Sequence, residues 1–384
     1  MRSSGGHRYR PICLPPADTK QRGGPNIVKL QEKSGESAPQ VGRKGKSAVA
    51  GTLAVFSLEE CMISRIWRAT LAFMVIFALG ATFHAFAQQG NRISITTGGT
   101  GGVYYPLGGG MANVLSKNIP GLQATAEVTG GSVDNLKLIG AGKAEVGFSM
   151  VDVAWDASQG LDKFKDGKVN ARTLMVLYPN RMQVVTIDGT GIAKLSDLKG
   201  KRVSTGSPGS GVEVMSLRVL EAMGLDPKKD IKQERLGAAE SVNAIKDRKI
   251  DAFFWVGGVP TAALTDLAAT PGIKMKLIDH GEVVEAMNKK YGPLYVKSAI
   301  AANAYQGMDK PVENIDVWNI LVTNDKMSDQ MAYSIVKTLM EKKADLVAVH
   351  KEAENIDLKN QKTGSPIPYH PGAQKYFEER GVKF

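Results

Sequence analysis

A glycine-rich segment at residues 96–110, Thr-Thr-Gly-Gly-Thr-Gly-Gly-Val-Tyr-Tyr-Pro-Leu-Gly-Gly-Gly, restricts the fold of this chain more strongly than any other feature. It follows a short alternating strand at residues 92–95 and leads into an apolar helical pattern at residues 105–117. Glycine lets a backbone turn sharply and approach a ligand closely. A helix N-terminus offers unpaired N–H groups and partial positive charge. The segment therefore predicts a strand, a tight loop and a helix whose start can hold an anion.

A second unit of the same kind lies further along the chain. Residues 201–205 predict a strand, residues 206–211 form a small-residue loop, and residues 212–223 predict a helix. Laying one unit over the other aligns Gly101 with Ser210. Alternating strands and helices are typical of α/β folds with largely parallel sheets. We therefore expect two lobes of the same build, each with a loop at the carboxyl end of its first strand, where such sheets bind ligands.

Two such loops facing each other predict one small-anion site between the lobes. Backbone N–H groups and hydroxyls can bind a carboxylate without supplying charge, and Trp255, at the end of a predicted strand, can form a wall of the cleft. The candidate ligand-binding residues are Thr100, Gly101, Gly102, Tyr104, Ser132, Asn135, Tyr178, Ser207, Ser210, Gly211 and Trp255.

Other chemistry finds less support in the sequence. No Gly-Lys-Ser/Thr follows the first loop, and Tyr104 stands where a dinucleotide fingerprint needs its third glycine. The histidines after residue 87 lack metal-ligand spacing, so we expect no metal and no cofactor. An enzyme on a two-lobed scaffold, such as a phosphoribosyltransferase, stays an alternative, although Glu213 is the one acid in place beside the loops. A tetrapyrrole synthase is excluded, because its cofactor is tethered to a cysteine and no cysteine follows Cys61. We expect a binding protein rather than an enzyme.

The formal net charge of +11 would suit a nucleic-acid partner, but its distribution does not. Much of the basic excess lies in residues 1–87, and the remaining Lys and Arg residues form no run of the kind that follows phosphates. We therefore expect no nucleic-acid binding.

Residues 62–87 are typical of a secretory signal peptide. Arg65 and Arg68 form its basic start, residues 69–83 are continuously apolar, and residues 85–87, Ala-Phe-Ala, fit the cleavage rule. A retained membrane anchor is the alternative, but the apolar stretch is shorter than the ~20 residues of a span.

Residues 1–61 lack periodicity and are rich in Gly, Pro, Lys and Ser, so we interpret them as a disordered extension. Our hypothesis is that Met62 is the true start and that this extension is not translated. Both cysteines, Cys13 and Cys61, precede the predicted cleavage site, so the mature chain would carry no thiol.

Residues 98–109, Gly-Gly-Thr-Gly-Gly-Val-Tyr-Tyr-Pro-Leu-Gly-Gly, resemble the opening motif of the TAXI family, the periplasmic solute receptors of tripartite ATP-independent (TRAP) transporters. Supporting matches occur at residues 129–136, 207–213, 251–254 and 369–373. The resemblance implies a two-lobed α/β fold of the type II periplasmic-binding-protein kind, with the ligand cleft between the lobes and no catalysis. It also implies a small carboxylate ligand, glutamate-like or another organic anion, and delivery to an ion-coupled TRAP membrane permease.

The lobes can be assigned on the same basis. We expect residues 88–184 and 316–384 to form lobe 1 and residues 185–315 to form lobe 2, with the protein a periplasmic monomer. Dicarboxylate-binding relatives of the family hold their ligand with a signature arginine, and Arg181 is the candidate near a hinge. A receptor of the same fold that serves an ABC importer or a sensor kinase is the alternative function.

Overall fold

The computed structural model describes residues 91–362 and 364–384, so the predicted extension and signal peptide lie outside the described residues. In chain order the strands are β1 (Asn91–Thr96), β2 (Leu122–Glu127), β3 (Val146–Met150), β4 (Ala171–Ile187), β5 (Arg202–Ser204), β6 (Lys232–Glu234), β7 (Ala252–Gly257), β8 (Met275–Ile278), β9 (Val296–Ile300) and β10 (Val312–Asn324). The α-helices are α1 (Tyr104–Asn118), α2 (Ser132–Gly140), α3 (Val151–Gln159), α4 (Gly211–Ala222), α5 (Ala238–Lys246), α6 (Ala262–Ala268), α7 (Val284–Tyr291), α8 (Asp329–Glu341), α9 (Lys343–Val349), α10 (Leu358–Gln361) and α11 (Pro371–Glu379).

The strands form one mixed sheet in the order β2-β1-β3-β10-β4-β7-β5-β6. β1 pairs in parallel with β2 and β3, and β5 pairs in parallel with β6 and β7. Each half of the chain therefore builds the same three-stranded wing, with its first strand in the middle. We call the β2-β1-β3 wing and its helices lobe 1, and the β6-β5-β7 wing and its helices lobe 2. The two-lobed α/β architecture predicted from the repeated unit is confirmed.

Two long antiparallel strands, β4 and β10, join the wings. β10 pairs with β3 of lobe 1, and β4 pairs with β7 of lobe 2. β4 has 17 residues, which at roughly 3.3 Å per residue is enough to reach from one wing to the other. The β4–β10 register shifts between Trp318 and Ile320, beside Pro179, which has no N–H to donate to the ladder. The expected lobe boundaries, between residues 184 and 185 and between residues 315 and 316, fall within β4 and β10. They stay a prediction.

The buried side chains form one core in each lobe and a third that both lobes share. Leu107 and Phe377 belong to the lobe 1 core, in which the C-terminal helix α8 packs against α1 and α11 packs against α8. Phe253 belongs to the lobe 2 core. Leu136 of α2 and Met215 of α4 lie in the shared core beside the long strands. The lobes are therefore packed on each other as well as linked through the sheet.

A buried ion cluster also connects the lobes. Arg218 of α4 pairs with Asp156 of α3, and its Nη1 lies 3.5 Å from Asp152 Oδ2. The hydroxyl of Tyr295 donates to Asp152 Oδ2 at 2.8 Å and accepts from Arg218 Nη1 at 2.8 Å. All four side chains are nearly inaccessible to solvent. Lobe 1 supplies the negative charges and lobe 2 the positive one, so the cluster ties α3 to α4.

Within residues 91–362 and 364–384, no helix combines the length and hydropathy that a membrane span requires.

Candidate ligand-binding site

A cavity of about 390 Å³ lies where the two wings face each other at the carboxyl ends of their parallel strands. The loops that line it follow β1, β2, β5 and β6, and each leads directly into a helix, α1, α2, α4 or α5. The two wings thus contribute equivalent pairs of loops to one space. Its volume falls within the ~300–1,000 Å³ typical of small-molecule sites.

The helix starts give the cavity a positive potential. The amide N–H groups of Ser132 and Val133 in α2 and of Gly211 and Val212 in α4 have no hydrogen-bond partner among the described residues. These are the groups that an α-helix leaves unpaired at its N-terminus, where its dipole also favours an anion.

The four helices differ in how far their own side chains offset this potential. α2, α4 and α5 each carry an acid in the first turn, Asp134, Glu213 and Glu240 respectively, whereas α1 has none. The amides of Gly101 and Val103, just before α1, have no hydrogen-bond acceptor within the described part of the chain. An anion would therefore bind most favourably at the loop before α1.

Direct contacts between the lobes close one side of the cavity. The Asp134 amide of lobe 1 donates to the carbonyl of Gly209 in lobe 2 at 3.0 Å. In the opposite direction, the Ser207 hydroxyl of lobe 2 donates to the carbonyl of Gly130 in lobe 1 at 3.2 Å. The loops after β2 and β5 thus touch across the cleft.

Most of the residues predicted from the sequence come together at this cavity. Its lining includes Thr100, Gly101, Gly102, Tyr104, Ser132, Tyr178, Ser207, Ser210, Gly211 and Trp255. That these residues contact a ligand stays a prediction.

Asn135 is not part of the lining, contrary to expectation. Its buried side chain donates to the carbonyls of Thr97 at 2.7 Å and Phe148 at 2.8 Å and accepts from the Thr129 hydroxyl at 2.7 Å. It lies one turn inside α2 and faces the sheet, where it ties the loop after β2 to the ends of β1 and β3. Asn135 therefore supports the cavity wall without reaching the cavity.

The expected role of the serine hydroxyls also needs correction. Ser210 caps α4, because its Oγ accepts from the Glu213 amide at 3.0 Å, and it donates its proton to the Ser207 carbonyl at 2.6 Å. Ser207 donates its own proton to Gly130. A hydroxyl has one proton to donate, so neither serine can also donate to a carboxylate. In the loop before α4, the donors left for a carboxylate are therefore backbone amides.

Three lining residues, Tyr104, Tyr178 and Asn180, which we call the floor of the cavity, join a polar network with Asn319 of β10. Asn319 of β10 donates to the Tyr178 carbonyl at 3.3 Å, and its Oδ1 accepts from the Tyr104 hydroxyl and from Asn180 Nδ2, the latter at 2.8 Å. Burial raises the pKa of Tyr104. Burial likewise raises the pKa of Tyr178, so both phenols stay protonated.

The sequence predictions missed several residues of the lining, among them Met150, Asn180, Arg235 and Gly237. The loop before α5 had a usable signal, because the repeat aligns Ser132 with Ser241 and so makes the stretch before Ser241 the counterpart of residues 129–131. No sequence signal marks Asn180 as a lining residue, since it lies in the interior of a long strand.

Charged side chains lie at the margin of the cavity. Arg235 lines it, but its side chain is 48% exposed and pairs with Glu213. Arg181, the predicted hinge arginine, does not line the cavity. Its guanidinium is instead 2.9 Å from Glu352 Oε1, which also accepts from the Val259 amide at 2.8 Å. Arg181 therefore serves a contact between β4 and the C-terminal segment.

No group of three or more His, Cys, Asp or Glu side chains within residues 91–362 and 364–384 is arranged to hold a metal ion.

Comparison with known proteins gives a family match over most of the chain. The sequence profile of a family described as NMT1-like matches residues 95–381. Among solved structures, periplasmic binding protein BugD is 12% identical, with 76% of this chain and 94% of that one covered, at a TM-score of 0.49. The alkanesulfonate-binding protein SsuA from Xanthomonas axonopodis pv. citri, bound to MOPS, is 15% identical, with 75% and 83% covered, at 0.41. A substrate-binding protein of an amino acid ABC transporter is 11% identical, with 69% and 100% covered, also at 0.41.

Proposed function

The chain belongs to the NMT1-like family, and from the geometry of its cavity we propose that it is a periplasmic solute receptor that captures a small carboxylate. In this proposal it acts as a monomer, binds without catalysis, and delivers the carboxylate to a membrane permease. The resemblance of residues 98–109 to the TAXI opening motif supports a TRAP-type, ion-coupled permease and a glutamate-like or other organic anion.

The proposal is supported above all by one observation: equivalent loops from two matching wings line one cavity, and each loop leads into a helix whose first residues also line it. The first amides of a helix bind an anion through hydrogen bonds and the helix dipole. The loop before α1, which no first-turn acid offsets, would hold the carboxylate. The wings are joined by strands, so a hinge motion about β4 and β10 could open and close the cleft.

The binding step is tested by native mass spectrometry of the purified protein, followed by calorimetry with carboxylates of two to six carbons. We expect a co-purified organic acid or micromolar affinity for at least one member of this panel. Turnover of the bound acid, followed by NMR, would support an enzyme instead. Absence of any carboxylate binding would contradict the proposal.

A matched pair of variants locates the site. A Cβ added at Gly101 would lie 3.2 Å from Ala239 Cβ and 3.3 Å from Ala263 Cβ, both in lobe 2. Gly101→Val should therefore hold the lobes apart and weaken carboxylate binding at least tenfold. Gly167→Val is the control, because nothing lies within 4 Å of a Cβ at that exposed position.

The permease class is tested by uptake of the bound carboxylate into cells that make the protein, compared with cells that lack its gene. A TRAP-type partner predicts that an ionophore abolishes the difference in uptake. Uptake that survives the ionophore and stops on ATP depletion would indicate the alternative, an ABC importer.

A further inference from the structure

The cavity floor holds two buried polar atoms that the described part of the chain leaves without partners. The Tyr178 hydroxyl and Asn180 Oδ1 find no hydrogen-bond donor or acceptor there, although the two residues are 0% and 1% exposed. Both lie on β4, two positions apart, and both line the cavity. Buried polar atoms are nearly always paired in folded proteins, so this pair points to a group that a ligand supplies.

The surrounding network fixes which atoms are free. Because Asn319 Nδ2 donates to a backbone carbonyl, its Oδ1 is the atom that faces Tyr104 and Asn180. Tyr104 therefore uses its proton on Asn319, and Asn180 uses its NH₂ group there. The two buried atoms left without partners are one acceptor, Asn180 Oδ1, and the Tyr178 hydroxyl, which can donate its proton.

Among the described residues, the charged side chains near these two atoms are either exposed or already paired. The charged residues that line the cavity are Arg235 and Glu240, both exposed, and Arg235 is already paired with Glu213. The neighbouring Arg181 is bound to Glu352. A carboxylate or an ammonium group at the floor would lose its hydration without gaining a counter-ion, which is strongly unfavourable. An uncharged group with both a donor and an acceptor would satisfy both floor atoms.

We propose that the ligand is a monocarboxylate whose far end carries an uncharged hydroxyl or carboxamide, which accepts from the Tyr178 hydroxyl and donates to Asn180 Oδ1. This inference rests on the proposed function, which seats the carboxylate at the loop before α1. Trp255 lines the cavity with its indole N–H already donated to Thr261 at 3.0 Å, so it offers an apolar face to the carbon chain.

Calorimetry with end-group series of four, five and six carbons tests the proposal on the full chain. The five-carbon probes are pentanoate, 5-hydroxypentanoate, 5-amino-5-oxopentanoate, glutarate and 5-aminopentanoate. At the best chain length, we expect the hydroxyl or carboxamide probe to bind at least tenfold more tightly than the unsubstituted, dicarboxylate and ammonium probes.

Tyr178→Phe should reduce this tenfold preference over the unsubstituted acid to less than twofold. Asn180→Asp, which places a negative charge at the floor, should make the ammonium probe the tightest of its series. Ser94→Ala is the matched control, because Ser94 Oγ is also buried without a partner but Ser94 does not line the cavity. The control should keep the preference of the unaltered protein.

The outcomes separate this inference from the proposed function. If carboxylates bind but the five end groups bind equally, or the dicarboxylate binds most tightly, the receptor function stands and the inference is overturned. A preference that survives Tyr178→Phe also overturns it. If no probe of any length binds, the carboxylate-receptor proposal fails and this inference fails with it.

Discussion

At the scale of single residues, the contact between Gly102 and Trp255 shows why the first loop needs glycine. A Cβ added at Gly102 would lie 2.9 Å from Cη2 and Cζ2 of the indole ring, closer than non-bonded carbon atoms approach. Gly102→Ala should displace the ring or the loop and weaken carboxylate binding about tenfold, measured by calorimetry with the tightest member of the carboxylate panel.

Gly109→Ala provides the comparison for this substitution. Gly109 lies on α1 with nothing within 4 Å of an added Cβ, and alanine is the better helix former by about 1 kcal/mol. Its affinity should be unchanged and its stability equal or higher. Equal affinity in Gly102→Ala and in the unaltered protein would show that the Trp255 contact does not shape the site.

Ser210 illustrates a residue whose position was predicted but whose role was not. As the N-cap of α4 it satisfies the Glu213 amide, so Ser210→Ala should lower the free energy of unfolding by about 1 kcal/mol. Urea denaturation measures this loss. Ser334→Ala, inside α8, should change stability by less than about 0.5 kcal/mol. Indistinguishable effects of the two substitutions would contradict the capping role.

The sequence could predict those site residues that local backbone rules specify. Glycines at residues 101, 102 and 211 stand at strand-to-helix turns, and Trp255 lies near the end of β7, so their places followed from local pattern. Asn135 was misplaced because its distance along α2 decides whether it faces the cavity or the sheet. Asn180 reaches the floor only through the pairing of β4 with β10, which joins distant parts of the chain and leaves no local mark.

At the scale of elements, the ion cluster between α3 and α4 should contribute more to stability than an exposed pair. Arg218→Met leaves Asp152 and Asp156 buried without their cation, which should cost about 3–5 kcal/mol of unfolding free energy. Arg202→Met breaks a pair whose side chains are 41% and 20% exposed, and should cost about 1 kcal/mol or less. Urea denaturation of both variants measures the difference; equal losses would contradict the importance of the buried cluster.

The same cluster should make stability depend on pH. Burial raises the pKa of Asp156 to about 6, helped by Asp152 and Asp162 and opposed by Arg218, whereas an unfolded aspartate titrates near 3.9. Between these values the folded protein holds a proton that the unfolded chain releases. The stabilising contribution is therefore complete below about pH 4 and is lost as the pH rises through 6.

Asp156→Asn removes this titration. Urea denaturation at each pH gives the difference in unfolding free energy, variant minus unaltered protein. This difference should rise from pH 4 to pH 6, because the unaltered protein loses its proton-linked stability there, and should then level off. A pH-independent difference between the two proteins would contradict the raised pKa.

At the scale of the whole molecule, the repeated strand–loop–helix unit predicted the two wings but not the two long strands, β4 and β10, that join them. Each wing depends on pairings between nearby segments, such as β1 with β2, which alternation and loop composition reveal. The long strands β4 and β10 pair residues such as Arg181 and Asp316, and such distant register is set by tertiary packing rather than by local sequence. The shared core and the inter-lobe ion cluster were missed for the same reason.

In the proposed function, the two wings hold a small carboxylate on backbone amides in the cavity between them. A crystal structure of the protein with the tightest-binding carboxylate of the panel tests this most directly. We expect the carboxylate inside the cavity, with its oxygens about 3 Å from amide nitrogens of residues 98–103. A carboxylate bound outside the cavity, or bound there through Arg235 with the loop amides unused, would contradict it.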